Sequence, residues 1–372
     1  MRVLVVSHSC AVETNQRVYR ELSRLVERVD LVVPSRWFHE HTRGPLSPRR
    51  CEGFTGQLIR LPVLNAGSVP LHLYLAGATR WLRRVGCELL YIEEEPYSLA
   101  AWQWARAARR AGVPSVFYNA QNLPKRYPAP VRAWEGAVWR SAAGAICVSE
   151  TVRRVLNGRG FGGRAWVVPL AVDVSAFRPS RGDEAQHRRL GLRKRVVAYL
   201  GRLVPEKGVP VVLEAYLGLG RRSETSLLCI GGGPLANELR RHDGVVVLDD
   251  TPHAEVAGIL PLADVVVLPS LTTPRWKEQF GRAALEAMAC ALPVIASNSG
   301  ELPAILDATG GGVVVPEGDP AALRAAVRRL LSDEEARRAL GRRGRESVVA
   351  GFSTEAVARR LKAAFEDAAS RC

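Results

Sequence analysis

Short runs of apolar, largely β-branched residues alternate along this chain with stretches whose apolar positions recur every three to four residues. Residues 3–6 form such a run, and Val18, Leu22, Leu25, Val26 and Val29 after it share the period of one helix face. Further strands are predicted at 31–33, 89–92, 115–118, 145–148 and 166–168, with helices over 71–84, 98–110, 131–140 and 150–156. Strand–helix alternation of this kind predicts a parallel sheet with helices on both faces.

The pattern falters in the polar, charge-dense stretch 173–192, which contains Phe177-Arg178-Pro179, and then restarts. Strands follow at 196–200, 227–230, 245–248, 265–268 and 294–296, separated by helical segments near 208–218, 234–241, 253–262 and 281–291. The expected organisation is a domain over 1–173, a linker over 174–192, a similarly built domain over 193–350, and a C-terminal helix over 351–372 that packs back toward the first domain. Asp319 reads as a helix N-cap with Pro320 at the first helical position. Ser332-Asp333-Glu334-Glu335 reads as a capping box, and a last amphipathic helix is expected from after Ser353 to about Ala369.

Composition narrows this picture. At 372 residues the chain suits two such domains, with an ordinary apolar fraction of 47%. It holds no apolar run long enough to span a bilayer, and its first residues read as a strand, not a signal peptide. Seven singly placed cysteines, with no C-x-x-C pair, argue for a reducing cytoplasm and against a disulfide framework or zinc site. The net charge of +15 comes mostly from arginines, as in 106–110, 324–329 and 337–345, which read as solvated helix faces or as attraction to anionic partners. No zinc-finger, aromatic RNA-binding or helix-turn-helix signature is present, so no nucleic-acid partner is expected.

Ligands of open parallel sheets bind at the carboxyl ends of the strands. The strand 196–200 ends in Gly201-Arg202-Leu203-Val204-Pro205-Glu206-Lys207-Gly208. Two cations at a strand tip and helix start can hold a pyrophosphate, or can be solvated surface charges. The next strand ends Ile230-Gly231-Gly232-Gly233-Pro234, which suits close backbone approach but is not the dinucleotide fingerprint. In the segment 269–293, Glu278 precedes Phe280-Gly281 and a helix that carries Glu286 on an otherwise apolar face. Two carboxylates flanking a helix N-terminus can bind a ribose diol and sugar hydroxyls around a phosphate.

Gly201-Arg202 with Lys207-Gly208, Ile230-Gly231-Gly232-Gly233-Pro234-Leu235, Ala263-Asp264 through Pro269-Ser270, and the glutamates Glu278 and Glu286 together resemble glycosyltransferase family 4. The resemblance extends to Cys147-Val148-Ser149 and to Val168-Pro169-Leu170 through Phe177, and so covers essentially the whole chain. It implies the GT-B fold, two Rossmann-like α/β domains facing across a cleft, with a nucleotide-diphosphate sugar held mainly by the second. It also implies retention of anomeric configuration and no metal or other cofactor; no Asp-x-Asp motif is present. Carried over residue by residue, Arg202 and Lys207 neutralise the leaving diphosphate, and Glu286 holds the ribose. Glu278 binds hydroxyls of the transferred sugar, aided by amides near Phe280 and Gly281, while Gly201 and Gly232 line the donor. Base recognition is expected at backbone groups near 248–251.

The chain departs from the family where a glycine pair normally follows the first strand. It has Ser7-His8-Ser9-Cys10 through Arg17, so Asn15 or Gln16 is expected to supply a side-chain amide, and His8 reads as a loop histidine. Gln121, in Asn119-Ala120-Gln121-Asn122 ahead of Tyr127-Pro128, stands where many relatives carry a histidine near the transferred sugar. An amide there fits a front-face mechanism in which the leaving phosphate takes the acceptor's proton, and this Gln-Asn…Tyr-Pro segment marks one branch of the family. Glu93-Glu94-Glu95, after the strand 89–92, offers Glu95 as an acceptor or catalytic contact, or a plain acidic turn. Arg36-Trp37-Phe38-His39-Glu40-His41 and the stretch 71–85, with Leu71, Leu75, Ala78, Leu82 and Val85 on one face, suggest peripheral contact with an anionic membrane near a glycan or lipid-linked acceptor. The alternatives are a GT-B nucleotide-sugar epimerase and a non-catalytic nucleotide-sugar-binding protein.

Overall fold

The computed structural model describes residues 1–38, 44–180, 182–220, 222–249 and 251–370. Of the candidate segments above, residues 39–41, Asp250 and Cys372 lie outside it. Two compact units divide the chain: Met1–Pro169 together with Thr354–Cys372, and Leu170–Ser353. The polar stretch 174–192 therefore belongs to the second unit, where Asp183 caps a short helix, Glu184–Arg189.

The strands of the first unit are β1 (Arg2–Val6), β2 (Arg28–Pro34), β3 (Trp37–Phe38), β4 (Pro45–Leu46), β5 (Leu58–Leu61), β6 (Val63–Leu64), β7 (Leu73–Tyr74), β8 (Leu89–Ile92), β9 (Ser115–Asn119), β10 (Gly144–Cys147) and β11 (Arg164–Val167). Pairs β3–β4 and β6–β7 are small antiparallel ribbons. The other seven form a parallel sheet in the order β11-β10-β9-β8-β1-β2-β5. From β1 the chain goes to β2 and β5 on one side and returns as β8 on the other. The strand order thus reverses between β1 and β8, the place where open sheets bind ligands. The helix Thr354–Ala369 belongs to this unit and packs on the helix Arg17–Leu22.

Two helix expectations fail here. The stripe Val18–Val29 is helical only over Arg17–Leu22, and Val29 lies fully buried in β2, paired with Val3 of β1. Strand pairing next to a central strand buries Val29 more completely than a one-sided helix would. The stretch 71–84 is helical only over Ala78–Val85, because Leu73 and Tyr74 pair with Leu64 and Val63 and Gly77 starts the helix. Ala78 and Leu82 of the expected apolar face are buried in the unit's own interior, whereas Leu71 and Leu75 stay exposed.

The second unit holds β12 (Arg195–Leu200), β13 (Thr225–Ile230), β14 (Val245–Leu248), β15 (Val265–Leu268), β16 (Val294–Ser297) and β17 (Gly312–Val315). They form a parallel sheet in the order β14-β13-β12-β15-β16-β17, which reverses between β12 and β15. Its inner strands are nearly continuous apolar runs because helices cover both faces, and Val197, Tyr199, Leu227, Val265 and Leu323 meet in one buried core. Neither β5 nor β17 was expected; both are edge strands, whose identity is settled by a neighbour and not by their own few residues.

Asp319 caps the helix Pro320–Ser332 through the Ala322 amide. Ser332 instead closes that helix by donating to the Arg329 carbonyl, and the cap of the next one is Asp333, which accepts from the Ala336 amide. Nor are all the arginine runs solvated. Arg345 donates to the carbonyls of Phe177 at 2.8 Å, Ala289 at 2.7 Å and Val174 at 3.1 Å, so it is a staple inside the unit.

Candidate functional site

Lys207 follows β12 and Glu278 follows β15, and their side chains meet where the strand order reverses. Lys207 Nζ donates to Glu278 Oε2 at 2.7 Å, and the Ser270 hydroxyl donates to the same oxygen at 2.9 Å. The ammonium also lies 4.9 Å from the centre of the Trp276 ring. An ammonium has three N–H donors, so the pair does not exhaust Lys207, and the carboxylate and ring hold it against the rotamer freedom that a lone surface lysine would have. Both side chains are largely shielded, with 21% and 13% of their surface exposed, so their charges act through a less screened medium than free surface ions do.

The backbone around this pair is pinned. Gly208 adopts a left-handed φ of 73°, and a Cβ there would stand 1.8 Å from the Pro269 carbonyl oxygen. Only glycine lets the β12 loop pass so close to the tip of β15. Ser297 of β16 donates to the Ser270 carbonyl at 2.5 Å, and Thr272 bonds Glu317 and Ser299. The loop 269–281 is therefore tied to the tips of β16 and β17. At the next strand pair, the Gly201 amide donates to Ile230 and the Leu203 amide to Gly232, zipping the tips of β12 and β13 together.

Gly281, at φ 86°, opens the helix Arg282–Ala289, and no side chain caps its first turn. Phe280 is buried beside it. The helix therefore begins with amides that no side-chain cap satisfies and a partial positive charge, next to the Lys207–Glu278 pair in the chain. Arg202 is half exposed and, among the described residues, its one ion pair is with Glu206 at 3.9 Å, so no close partner consumes its charge. Glu286 is buried on the apolar helix, where His253 Nε2 lies 2.8 Å from Oε1; the imidazole in turn packs 5.6 Å from the Phe177 ring. The structure thus joins Lys207 to Glu278 directly and gives Arg202 and Glu286 separate partners. His253, half exposed, carried no sequence signal as a member of this group.

In the first unit the three consecutive glutamates after β8 have three different environments. Glu94 is fully buried: Oε1 accepts from the His8 amide at 2.7 Å and lies 3.3 Å from His72 Nε2, while Oε2 lies 2.5 Å from His8 Nδ1. Burial pushes its carboxyl up, but His8 and His72 outweigh that and hold it down at about 2. Glu95 accepts from the Ala120 amide at 3.0 Å, and its Oε2, buried, has no partner among the described residues. Desolvation pushes its carboxyl up to about 8, so near neutrality it carries its proton. Glu93 is also raised by desolvation, although the hydroxyls of Ser7 and Tyr19 and the Cys10 thiol oppose this. A plain solvated acidic turn is excluded: such a turn would leave all three side chains in water.

Gln121 is buried and hydrogen-bonds the Tyr97 hydroxyl; the Asn119 Oδ1 and Tyr127 hydroxyl nearby in the chain are buried without partners among the described residues. Asn15 donates to the Ser9 carbonyl at 2.9 Å, and Gln16 donates to the carbonyls of Cys10 and Arg49 while accepting from the Cys51 amide. Gln16 is thereby a loop brace. His8, His72 and Glu94 place three potential metal donors within 4.8 Å of one another. At 2.5 Å, however, His8 and Glu94 are closer than two ligands of one zinc ion, which bonds of about 2.0 Å in tetrahedral array keep roughly 3.3 Å apart. That separation belongs to a hydrogen bond.

Two parallel, Rossmann-like α/β sheets are the architecture of the GT-B fold. HepE from Anabaena, solved with UDP, superposes with a TM-score of 0.76 at 16% identity, over 99% of this chain and 100% of that one. The chain belongs to glycosyltransferase family 4. The family model for Glycosyltransferase Family 4 matches residues 11–176, and that for Glycosyl transferases group 1 matches 181–347. The D-inositol 3-phosphate glycosyltransferase of Corynebacterium jeikeium is 34% identical over 220 residues, 54% of this chain and 51% of that protein. A GDP-mannose-dependent alpha-(1-6)-phosphatidylinositol monomannoside mannosyltransferase of Mycobacterium tuberculosis is 36% identical over 214 residues, 52% of this chain and 54% of that one. The chain spans about half the length of these curated relatives.

Proposed function

We propose that this protein is a metal-independent, retaining glycosyltransferase that moves a hexose from a nucleotide-diphosphate sugar to a hydroxyl of a glycan or lipid-linked acceptor. The observation that carries the reading is the Lys207–Glu278 pair, at 2.7 Å, on the carboxyl edge of the second unit's sheet. When the bond from the sugar to the phosphate breaks, negative charge grows on the leaving diphosphate and positive charge on the sugar ring. Lys207 and Arg202, with the amides that open the helix after Gly281, stabilise the first. Glu278 binds hydroxyls of the transferred sugar in this reading. Fixed charges of this kind need no reorganisation as the reaction proceeds, which is why they lower its barrier. Glu286 holds the ribose, exchanging or sharing its bond to His253. Gly201, Gly232 and Phe280 shape the donor's seat, and Asn15, Glu95 and Gln121 in the first unit bind sugar hydroxyls.

No helix among the described residues is long and apolar enough to cross a membrane. We place the protein in the cytoplasm; the six described cysteines are buried free thiols. Contact with an anionic membrane would use the β6–β7 ribbon, where Leu64, Leu71 and Leu75 are exposed and Arg60 and Arg80 flank them.

The test is release of nucleoside diphosphate from a panel of nucleotide sugars, with thermal shift as the binding readout, in the presence of excess EDTA. Binding and acceptor-dependent turnover that persist in EDTA support the reading. Turnover abolished by EDTA and restored by magnesium or manganese would contradict the metal-free mechanism, and turnover that yields an isomerised sugar without transfer would make the chain an epimerase.

A further inference from the structure

Two buried carboxylate oxygens have no hydrogen-bond partner among the described residues: Glu95 Oε2 in the first unit and Glu301 Oε1 in the second. The proposed function gives Glu95 a ligand and leaves Glu301 without a role. Glu301 stands just past β16, the neighbour of β15, and so on the same sheet edge as the Lys207–Glu278 pair. Only 4% of its surface is exposed.

The backbone ties Glu301 to Glu278. The Glu301 amide donates to the Glu278 carbonyl at 3.2 Å. Gly300, just before it, has a left-handed φ of 56°, and a Cβ there would stand 1.9 Å from that same carbonyl oxygen. Glycine alone lets the segment after β16 lie so close against the loop 269–281. The starts of the two helices that follow these segments also approach each other: a Cβ on Gly281 would meet Leu302 Cδ2 at 2.8 Å. Ser299, fully buried, bonds the Thr272 hydroxyl at 3.0 Å and fixes the segment further. Main-chain bonding and close packing thus hold Glu301 in place, and its carboxyl is not needed for that.

Nor does the carboxyl serve its own helix. Glu301 occupies the cap position of the helix Leu302–Thr309, yet its side chain accepts from no amide of the first turn. A buried polar atom left without a partner is destabilising, and native interiors keep few of them. Oε1 therefore marks a position where a bound molecule completes the hydrogen bonding. An ionised carboxylate oxygen needs a donor, and the O–H of a protonated one needs an acceptor. A hydroxyl can be either, so it suits both forms.

We propose that Glu301 is a specificity-determining residue of the donor site, whose Oε1 hydrogen-bonds one hydroxyl of the transferred sugar. The inference rests on the proposed glycosyl transfer, in which Glu278, bonded to Glu301 through the backbone, binds other hydroxyls of the same ring. A sugar that lacks the matching hydroxyl leaves Oε1 buried and unpaired, and so binds more weakly. A nucleoside diphosphate carries no such sugar and gains nothing from Glu301. The carboxyl therefore separates the sugar nucleotide from the spent nucleotide, and one sugar from another.

Binding of UDP, UDP-glucose, GDP and GDP-mannose to the full chain, read by isothermal titration, tests this. Glu301→Met keeps the length of the side chain and removes both oxygens. It should weaken the sugar nucleotide that the wild type binds best by at least about tenfold, and leave the matching nucleoside diphosphate unchanged. Its Tm without ligand should equal or exceed that of the wild type, because an unpaired buried oxygen has been removed. Glu301→Gln, which keeps one acceptor oxygen, should retain most of the affinity. Monodeoxy analogues of the same donor then identify the hydroxyl. The wild type should bind the analogue that lacks it at least about tenfold more weakly than the parent, and Glu301→Met should bind the two alike. Equal weakening of sugar nucleotide and nucleoside diphosphate, no weakening of either, or a lowered Tm in Glu301→Met would overturn the proposal and leave glycosyl transfer standing. A wild type that binds none of these nucleotides would overturn the donor-site reading, and the role of Glu301 with it.

Discussion

Lys207 and Glu278, 71 residues apart in the chain, share a hydrogen bond of 2.7 Å at the point where the second sheet reverses its strand order. Ser270, in the same loop as Glu278, donates to the same carboxylate oxygen at 2.9 Å. The loop 201–208 brings Lys207, the loop 269–281 brings Glu278, and Gly208 permits the two to touch.

Lys207→Ala and Glu278→Gln should each lower transfer by at least ~100-fold, the typical effect of removing one group that stabilises transition-state charge. Circular dichroism should be unchanged, because both side chains lie at the rim of the unit and not in its core. Near-normal turnover in either variant would remove this pair from the site.

Glu286 separates binding from chemistry. Glu286→Gln keeps the volume but replaces an acceptor-only group, so it should raise donor KM and erase the nucleotide-sugar thermal shift while the fold persists. Measured with the donor that gives the largest shift on the wild type, an unaltered KM would show that the carboxylate serves only His253.

Glu95 makes stability depend on pH. Its carboxyl titrates at about 8 in the folded chain because desolvation dominates the Ala120 amide and Lys125, against 4.5 for an ordinary glutamate. Between those values the unfolded chain has lost a proton that the native chain retains. The native state therefore loses stability as pH rises through that window and no more beyond it. Glu95→Gln cannot ionise, so its Tm should fall less than that of the wild type between about pH 5 and about pH 8. Parallel Tm–pH curves for the two proteins would mean that Glu95 is ionised and solvated.

The ribbon β6–β7 predicts where a membrane would be met. Vesicles of phosphatidylcholine with phosphatidylglycerol should sediment the wild type, and Leu71→Ser with Leu75→Ser should weaken that partition by at least about tenfold, since both leucines are already exposed and can be changed without emptying a core. Equal partition of the two proteins would assign these leucines no such role.

Much of the fold was legible because strands buried on both faces must be apolar throughout. The runs that became β8, β12 and β15 could be little else, and the glycines and prolines around them marked the turns. The failures came where a local period competed with a distant partner. Leu71, Leu75, Ala78, Leu82 and Val85 have helical spacing, yet pairing with Val63 and Leu64 makes a strand of Leu73 and Tyr74. Leu58–Leu61 and Gly312–Val315 are too short to announce themselves and are strands because an edge was open to them. At the candidate site, Lys207, Glu278 and Glu286 stood out in the sequence, but who pairs with whom did not: Glu278 takes Lys207, and Glu286 takes His253, which gave no signal.

The sequence by itself determined the two-sheet α/β architecture, the family, and the residue types gathered at the strand tips, since each follows from local pattern or local motif. Tertiary structure decided which of those residues touch and which carry a charge. Three adjacent glutamates, identical in sequence, become one ionised carboxylate between two histidines, one neutral acid with a bare oxygen, and one raised by desolvation. Their different fates arise because a carboxyl's charge depends on the solvent it loses and the dipoles and cations it gains. For Glu94 those were supplied from 86 residues away by His8 and from 22 by His72.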